Sequence, residues 1–164
     1  MVRADLPGSG KSYACEHMTK RDHNVMFVTP TNKLVQKYGV NGVTLNKFFG
    51  ICINKISDDK KTMSKFDDSE YDVIVFDEIY FSCVQKLAKI KHYCNNNPDK
   101  IIIATGDTKQ LPPIAPLSNQ HEYCSYADHC IDSIFSHEVC LMENKRLKSD
   151  ADKIKLKKLK EYIF

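Results

Sequence analysis

The feature that most constrains this chain is the hexapeptide Pro7-Gly8-Ser9-Gly10-Lys11-Ser12, set between a short β-forming run, Val2 to Ala4, and a stretch of helical composition, Lys11 to Lys20. Glycines between a strand and a helix let consecutive backbone N–H groups turn inward, and the new helix adds the positive end of its dipole, so the loop is a cradle for an anion. In such loops the lysine reaches the β- and γ-phosphates of a nucleotide and the following hydroxyl holds Mg²⁺, roles that fall here to Lys11 and Ser12, with Pro7, Gly8, Ser9 and Gly10 forming the cradle. Asp5 stands where the first glycine of Gly-x-x-x-x-Gly-Lys-Ser/Thr belongs, while Gly8 and Gly10, the pair the phosphates approach most closely, are intact.

The rest of the chain repeats that alternation. Val25 to Thr29, Val73 to Asp77, Ile101 to Thr105 and Val139 to Met142 read as strands, and Thr31 to Tyr38, Leu45 to Ile51, Ser82 to Tyr93 and Ala151 to Tyr162 as helices. Strands alternating with helices predict an α/β domain with a mostly parallel sheet flanked by helices. Val73-Ile74-Val75-Phe76 and Ile101-Ile102-Ile103-Ala104 show no polar alternation, which predicts strands buried on both faces. Ser57 to Glu70, charged and rich in Asp, reads as a surface loop, and Leu111 to Pro116 as a Pro-rich turn.

In an open parallel sheet the ligand crevice lies at the carboxyl ends of the strands, so the first of these buried runs delivers Asp77 and Glu78 to the place that Lys11 and Ser12 occupy. Asp77 is then expected to complete the Mg²⁺ shell and Glu78 to polarise the water that attacks the γ-phosphate. The second run leads into Thr105-Gly106-Asp107-Thr108-Lys109-Gln110-Leu111-Pro112-Pro113-Ile114. Gln110 both donates and accepts, which suits a sensor of the γ-phosphate joined to a stiff Pro-Pro turn.

With 164 residues the chain fits one domain. Its longest apolar runs fall far short of the roughly 20 residues of a membrane span, and no signal-peptide pattern opens it, so a soluble protein that is not secreted is expected. Seven cysteines with no Cys-x-x-Cys pair suit reduced thiols in the cytoplasm or nucleus. His121, Cys124, His129, Cys130, His137 and Cys140 cluster in sequence, but their spacing matches no zinc pattern, and packing is the simpler reading. Cys15 likewise reads as packing. Residues 145–164 carry eight Lys or Arg against three acids. Such an end suits a polyanion or a solvated helix face, and Ile154, Leu156, Leu159 and Ile163 suggest a helix docked on its own domain.

Gly-Asp-x-x-Gln-Leu-Pro-Pro-Ile at 106–114, following the phosphate loop and Asp-Glu in that order, resembles the first RecA-like domain of superfamily 1 helicases, in the RecD-like and viral-type branch. The resemblance runs through nearly the whole chain and implies a RecA-like P-loop NTPase fold, with ATP and Mg²⁺ as cofactors. Val28-Thr29-Pro30-Thr31-Asn32-Lys33-Leu34 resembles the family's motif Ia, which implies that Thr31 and Asn32 lie along a single strand of nucleic acid. Val43 to Gly50 resembles the next strand-contacting motif, with Thr44 ahead of the aromatic pair Phe48 and Phe49, although Asn46 replaces the histidine often found there. Phe48 and Phe49 are thereby candidates for base stacking, against a core role, since one of two adjacent aromatics at the start of a helix must point inward. Leu141 to Leu147 is similar to motif IV, which implies that Arg146 approaches the γ-phosphate; by composition Arg146 is also one of the residues of a basic tail.

The implied organisation is a RecA-like ATP-binding domain over 1–147, short of the upstream segment that often recognises adenine, and a basic amphipathic helix over 148–164, with the second RecA-like domain absent. The implied function is the first motor domain of a nucleic-acid helicase, hydrolysing ATP to move along a single strand, DNA in preference to RNA, together with a second domain on a longer or separate chain. The alternatives are a remnant that binds nucleic acid or protein without turnover and, least supported because Arg3, Arg21 and Arg146 form no lid, a small P-loop phosphotransferase.

Overall fold

The computed structural model describes residues 1–4, 8–18, 24–51, 65–107, 129–143, 148–152, 154, 155 and 158. Six strands, β1 (Val2–Ala4), β2 (Val25–Thr29), β3 (Gly42–Thr44), β4 (Val73–Phe76), β5 (Ile101–Asp107) and β6 (Val139–Leu141), form one sheet in the order β3-β2-β4-β5-β1-β6. Every ladder is parallel, so every connection must cross over the sheet. Helices α1 (Lys11–Met18), α2 (Asn32–Tyr38), α3 (Leu45–Phe48) and α4 (Val84–Asn96) lie among these crossovers.

The two faces of the sheet separate by the period of two that a strand imposes. Met26 and Val28 of β2 and Ile74 and Phe76 of β4 share one core with Leu45 and Phe48 of α3, Leu87, Ile90 and Tyr93 of α4, and Ile131. Val25 and Phe27, Val73 and Val75 face the other way, onto Cys15 of α1 and Tyr38 of α2. β2 and β4 are buried at every position, as their unbroken apolar runs predict. Leu87, Ile90 and Tyr93 recur every three residues, so one stripe of α4 meets the sheet and each fully buried side chain contributes roughly 1.5–3 kcal/mol.

Several expectations are corrected. β5 is not buried on both faces along its length: Ile101 is 53% exposed, and burial is complete only from Ala104 to Asp107, where the strand passes between β4 and β1. A further strand, β3, sits where the sequence suggested only a motif. The segment 65–70 is not simply a surface loop. Phe66 stacks 6.0 Å from Phe48, Tyr93 donates a hydrogen bond to the Asp68 carboxylate, and Lys100 Nζ donates to the Asp68 and Tyr71 carbonyls at 2.7 and 2.6 Å. Ile154, expected on a docked helix face, is 57% exposed. Among the described residues no helix is long and apolar enough to cross a membrane, and no three His, Cys, Asp or Glu come together as a metal-binding set.

Candidate functional site

β1 delivers the chain to the carboxyl edge of the sheet, and α1 departs from there with Lys11 as its first residue. Gly8 and Gly10 take φ of 78° and 95°, values that favour glycine, and a Cβ built on Gly10 would meet nothing within 4 Å among the described residues. No acid stands in the first turn of α1, which leaves its positive end for a ligand. Lys11 is only 8% exposed, and among the described residues no acid pairs with it. Among the described residues, Ser9 Oγ is buried without a hydrogen-bond partner. A buried ammonium and a buried hydroxyl two residues apart in one loop suit a site that receives an anion.

Asp77 follows β4 directly and is 5% exposed. Its backbone N–H donates to the Val28 carbonyl at 2.9 Å, which sets the residue at the rim between β2 and β4. Both carboxylate oxygens are engaged. Thr105 of β5 donates its hydroxyl to Oδ1, which also accepts the Glu78 backbone N–H at 3.1 Å, and Tyr38 donates its hydroxyl to Oδ2 at 2.6 Å. The Ser12 side chain lies near the same phenol, so the phosphate loop and the strand-end carboxylate approach Tyr38 from two sides. Burial, then the bond to Asp77, pushes the Tyr38 hydroxyl well above its ordinary value.

Glu78 has φ 54° and ψ 49°, a left-handed conformation that costs a residue with a Cβ roughly 1–2 kcal/mol. It opens the tight turn Ile79–Phe81, whose Ile79 and Tyr80 enter the core. Gly106 of β5 accommodates that turn: a Cβ there would stand 2.5 Å from Tyr80 Cδ2. The glycine of Gly106-Asp107 thus serves packing of the turn after Glu78, and Asp107, 2% exposed, is paired in register with Ala4 at the edge where the loop begins.

Thr31, Asn32 and Thr44 share the same carboxyl edge one and two strands away. Thr29 and Thr44 are register partners. Thr31 caps α2, accepting from the Leu34 N–H at 3.4 Å, and Asn32 is exposed beside it. Thr44 caps α3, accepting from the Lys47 N–H at 3.2 Å. Both threonines therefore have a local structural task, for which a β-region residue with a side-chain oxygen is required.

Phe48 is a correction. It is 0% exposed and ringed by Phe49, Phe66, Phe76 and Tyr93 at centroid distances of 5.1–6.0 Å, so it cannot offer a face to a base. Pro7, Gln110 and Arg146 lie outside the described residues, as do Asp5, His121 and Cys124. The structure therefore places Ser12 and Asp77 both near Tyr38, and Gly8, Ser9, Gly10, Lys11 and Glu78 on adjoining turns. Tyr38 and Thr105 were missed from sequence because neither belongs to a motif that names it.

A family model described as the viral superfamily 1 RNA helicase core domain matches residues 6–162. Solved Pif1 helicase structures share the fold. One, of two Pif1 helicases coordinating at forked double-stranded DNA, superposes with a TM-score of 0.72 at 21% identity over 98% of this chain and 43% of its own. Pif1 from Bacteroides gives 0.69 at 21% identity when bound to single-stranded DNA, and 0.67 at 20% in complex with ADP-AlF3 and single-stranded DNA; each match covers 98% of this chain and 42% of that one. The chain thus spans less than half the length of these structures. No curated protein sequence matches it. The ordered strand-end motifs, the parallel sheet that carries them and the match along almost the whole chain establish that this protein belongs to the viral superfamily 1 helicase core family and has its RecA-like fold.

Proposed function

We infer that the chain is an ATP-binding motor domain whose Mg²⁺-dependent hydrolysis, in the complete enzyme, drives movement along single-stranded nucleic acid, DNA in preference to RNA. One observation carries the reading: Asp77, held between Tyr38 and Thr105 at the end of β4, stands at the sheet edge from which the glycine loop and α1 depart with the buried Lys11, which no acid among the described residues pairs with. The Pif1 structures with ADP-AlF3 and with single-stranded DNA support it by analogy.

The chemistry follows from the residues. The Gly8 to Lys11 backbone and the Lys11 ammonium bind the phosphates and offset their charge in a site shielded from water. The hydroxyl of Ser12 and the carboxylate of Asp77 are hard oxygen donors and fit Mg²⁺, which when bound neutralises charge on the transferring phosphoryl group. Glu78, one residue on, is the group proposed to polarise the attacking water. Gln110 as γ-phosphate sensor and Arg146 as a stabiliser of γ-phosphate charge complete the proposed set, and Thr31, Asn32 and Thr44 present the strand-binding edge. The domain limits 1–147 and 148–164, and a reducing cytoplasmic or nuclear setting, belong to the same proposal.

Titration with a fluorescent ATP analogue tests it. Wild type should bind and Lys11→Ala should bind at least about tenfold more weakly, the loss of one buried charge-assisted contact; equal affinity would end the reading. Movement along a strand requires two domains closing on the nucleotide, and these residues span less than half of the Pif1 structures, so a polypeptide of these residues alone is expected to hydrolyse slowly and to separate no strands. A strand affinity indifferent to ATP and to Asp77→Asn would favour the non-catalytic alternative.

A further inference from the structure

We propose that Tyr38 is a positioning residue for the metal-binding carboxylate, a role resting on the nucleotide site inferred above. Tyr38 is the last residue of α2, and its ring lies flat on Phe27 of β2, with centroids 3.9 Å apart and planes 3° from parallel. That stack fixes the ring, so the hydroxyl projects to one place, 2.6 Å from Asp77 Oδ2. Lys37 Nζ donates to the Tyr38 hydroxyl oxygen at 3.2 Å and pairs with Glu16 of α1 at 3.3 Å. A phenol has one proton to give and two lone pairs to fill. Here the proton goes to Asp77, and Lys37 supplies a donor.

The consequence for Asp77 is orientation. Tyr38 holds one oxygen from the α1/α2 side of the sheet, while Thr105 holds the other from β5. Each carboxylate oxygen accepts in about two directions, so Oδ2 keeps a direction free for a cation while its rotamer is fixed from both sides. Partners of this kind around a metal-ligating carboxylate are worth about 10- to 100-fold in metal affinity. Placement adds a second effect, because the hydroxyl that steadies Asp77 ends the helix that Thr31 caps, so the strand-binding edge and the metal carboxylate are joined by one rigid element of seven residues.

The test separates metal from nucleotide. A fluorescent ADP is titrated into wild type, Tyr38→Phe, Thr105→Val and Lys11→Ala, in EDTA and in saturating Mg²⁺. The ratio of the two dissociation constants measures what Mg²⁺ adds. Tyr38→Phe keeps the stack on Phe27 and removes only the hydroxyl; it should leave the EDTA constant within about twofold and shrink the Mg²⁺ gain by about tenfold. Thr105→Val, which releases the opposite oxygen, should do the same and carries the test if the tyrosine variant does not fold, as judged by thermal unfolding without ligand. A Mg²⁺ gain equal to wild type in Tyr38→Phe overturns the proposal and leaves the nucleotide site standing. A larger gain also overturns it, since the hydroxyl would then compete with the metal. Absence of ADP binding by wild type in both conditions, with Lys11→Ala indistinguishable from it, defeats the underlying reading and the positioning role with it.

Discussion

Replacing Phe48 separates packing from nucleic-acid contact at an aromatic position where the two roles compete. Its ring has no exposed surface and meets Phe49, Phe66, Phe76 and Tyr93 at 5.1, 6.0, 5.9 and 5.2 Å. Phe48→Ala removes the ring from the middle of that group, and four neighbouring rings cannot collapse far into the space, so a loss near the top of the 3–5 kcal/mol range is expected. Phe48→Leu keeps most of the apolar volume and forfeits the edge-to-face pairings, at about 1–2 kcal/mol. Stability is read from urea unfolding followed by circular dichroism, and strand binding from the anisotropy of a labelled oligothymidine at low salt. If Phe48 were a stacking platform, loss of its ring would weaken strand binding by about 1–3 kcal/mol per base. The buried geometry predicts that Phe48→Leu loses stability and keeps its strand affinity within about twofold. A variant of unchanged stability with strand affinity reduced about tenfold would refute the assignment of this ring to the core.

Gly106→Ala places a methyl 2.5 Å from Tyr80 Cδ2 and 3.3 Å from Ile79 Cγ2, so the turn after Glu78 must shift; a loss of about 1–3 kcal/mol is expected in the same urea assay, and an unchanged midpoint would contradict the packing described. Burial, with Asp77 nearby, pushes the Cys15 thiol up to about 12 from an ordinary 9.0, so at pH 8 a thiol reagent should label it only after urea unfolding; rapid labelling of the folded protein would contradict this. Burial also raises Cys94, to about 11, and raises Tyr38 and Tyr93 above their ordinary 10.0. The folded state keeps these protons past the pH at which the unfolded chain releases them, so their contribution to stability is complete below pH 9 and falls as pH rises from there; urea midpoints that rise above pH 9 would contradict it.

Much of this was legible because motif and period agree. Val73 to Phe76 has no polar position, and every one of its residues is buried between neighbours on both sides. The Ile101 to Ala104 run reads the same way yet begins exposed, because apolar composition does not reveal how far neighbouring strands extend beside it, and β1 begins to pair only at Thr105. β3 is three residues long, starts with glycine and ends on a threonine that caps the next helix, so it carries too little pattern to stand out from a turn. At the site, Lys11, Ser12 and Asp77 announce themselves by spacing. Tyr38 ends a polar helix and Thr105 sits inside an apolar strand, and their hydroxyls acquire meaning only when the sheet brings three distant segments to one carboxylate. The left-handed backbone of Glu78 is equally silent in sequence, since an acid gives no hint of a positive φ.

A crystal structure of the chain grown with Mg²⁺ and a non-hydrolysable ATP analogue would test the central claim most directly. The expected result is phosphates held by the Gly8 to Lys11 backbone and the Lys11 ammonium, with the ion between the Ser12 hydroxyl and the Asp77 carboxylate at about 2.0–2.1 Å from its oxygen ligands, water-bridged to Asp77 or directly bound. A nucleotide seated elsewhere on the protein, or an ion without either residue in its surroundings, would contradict it.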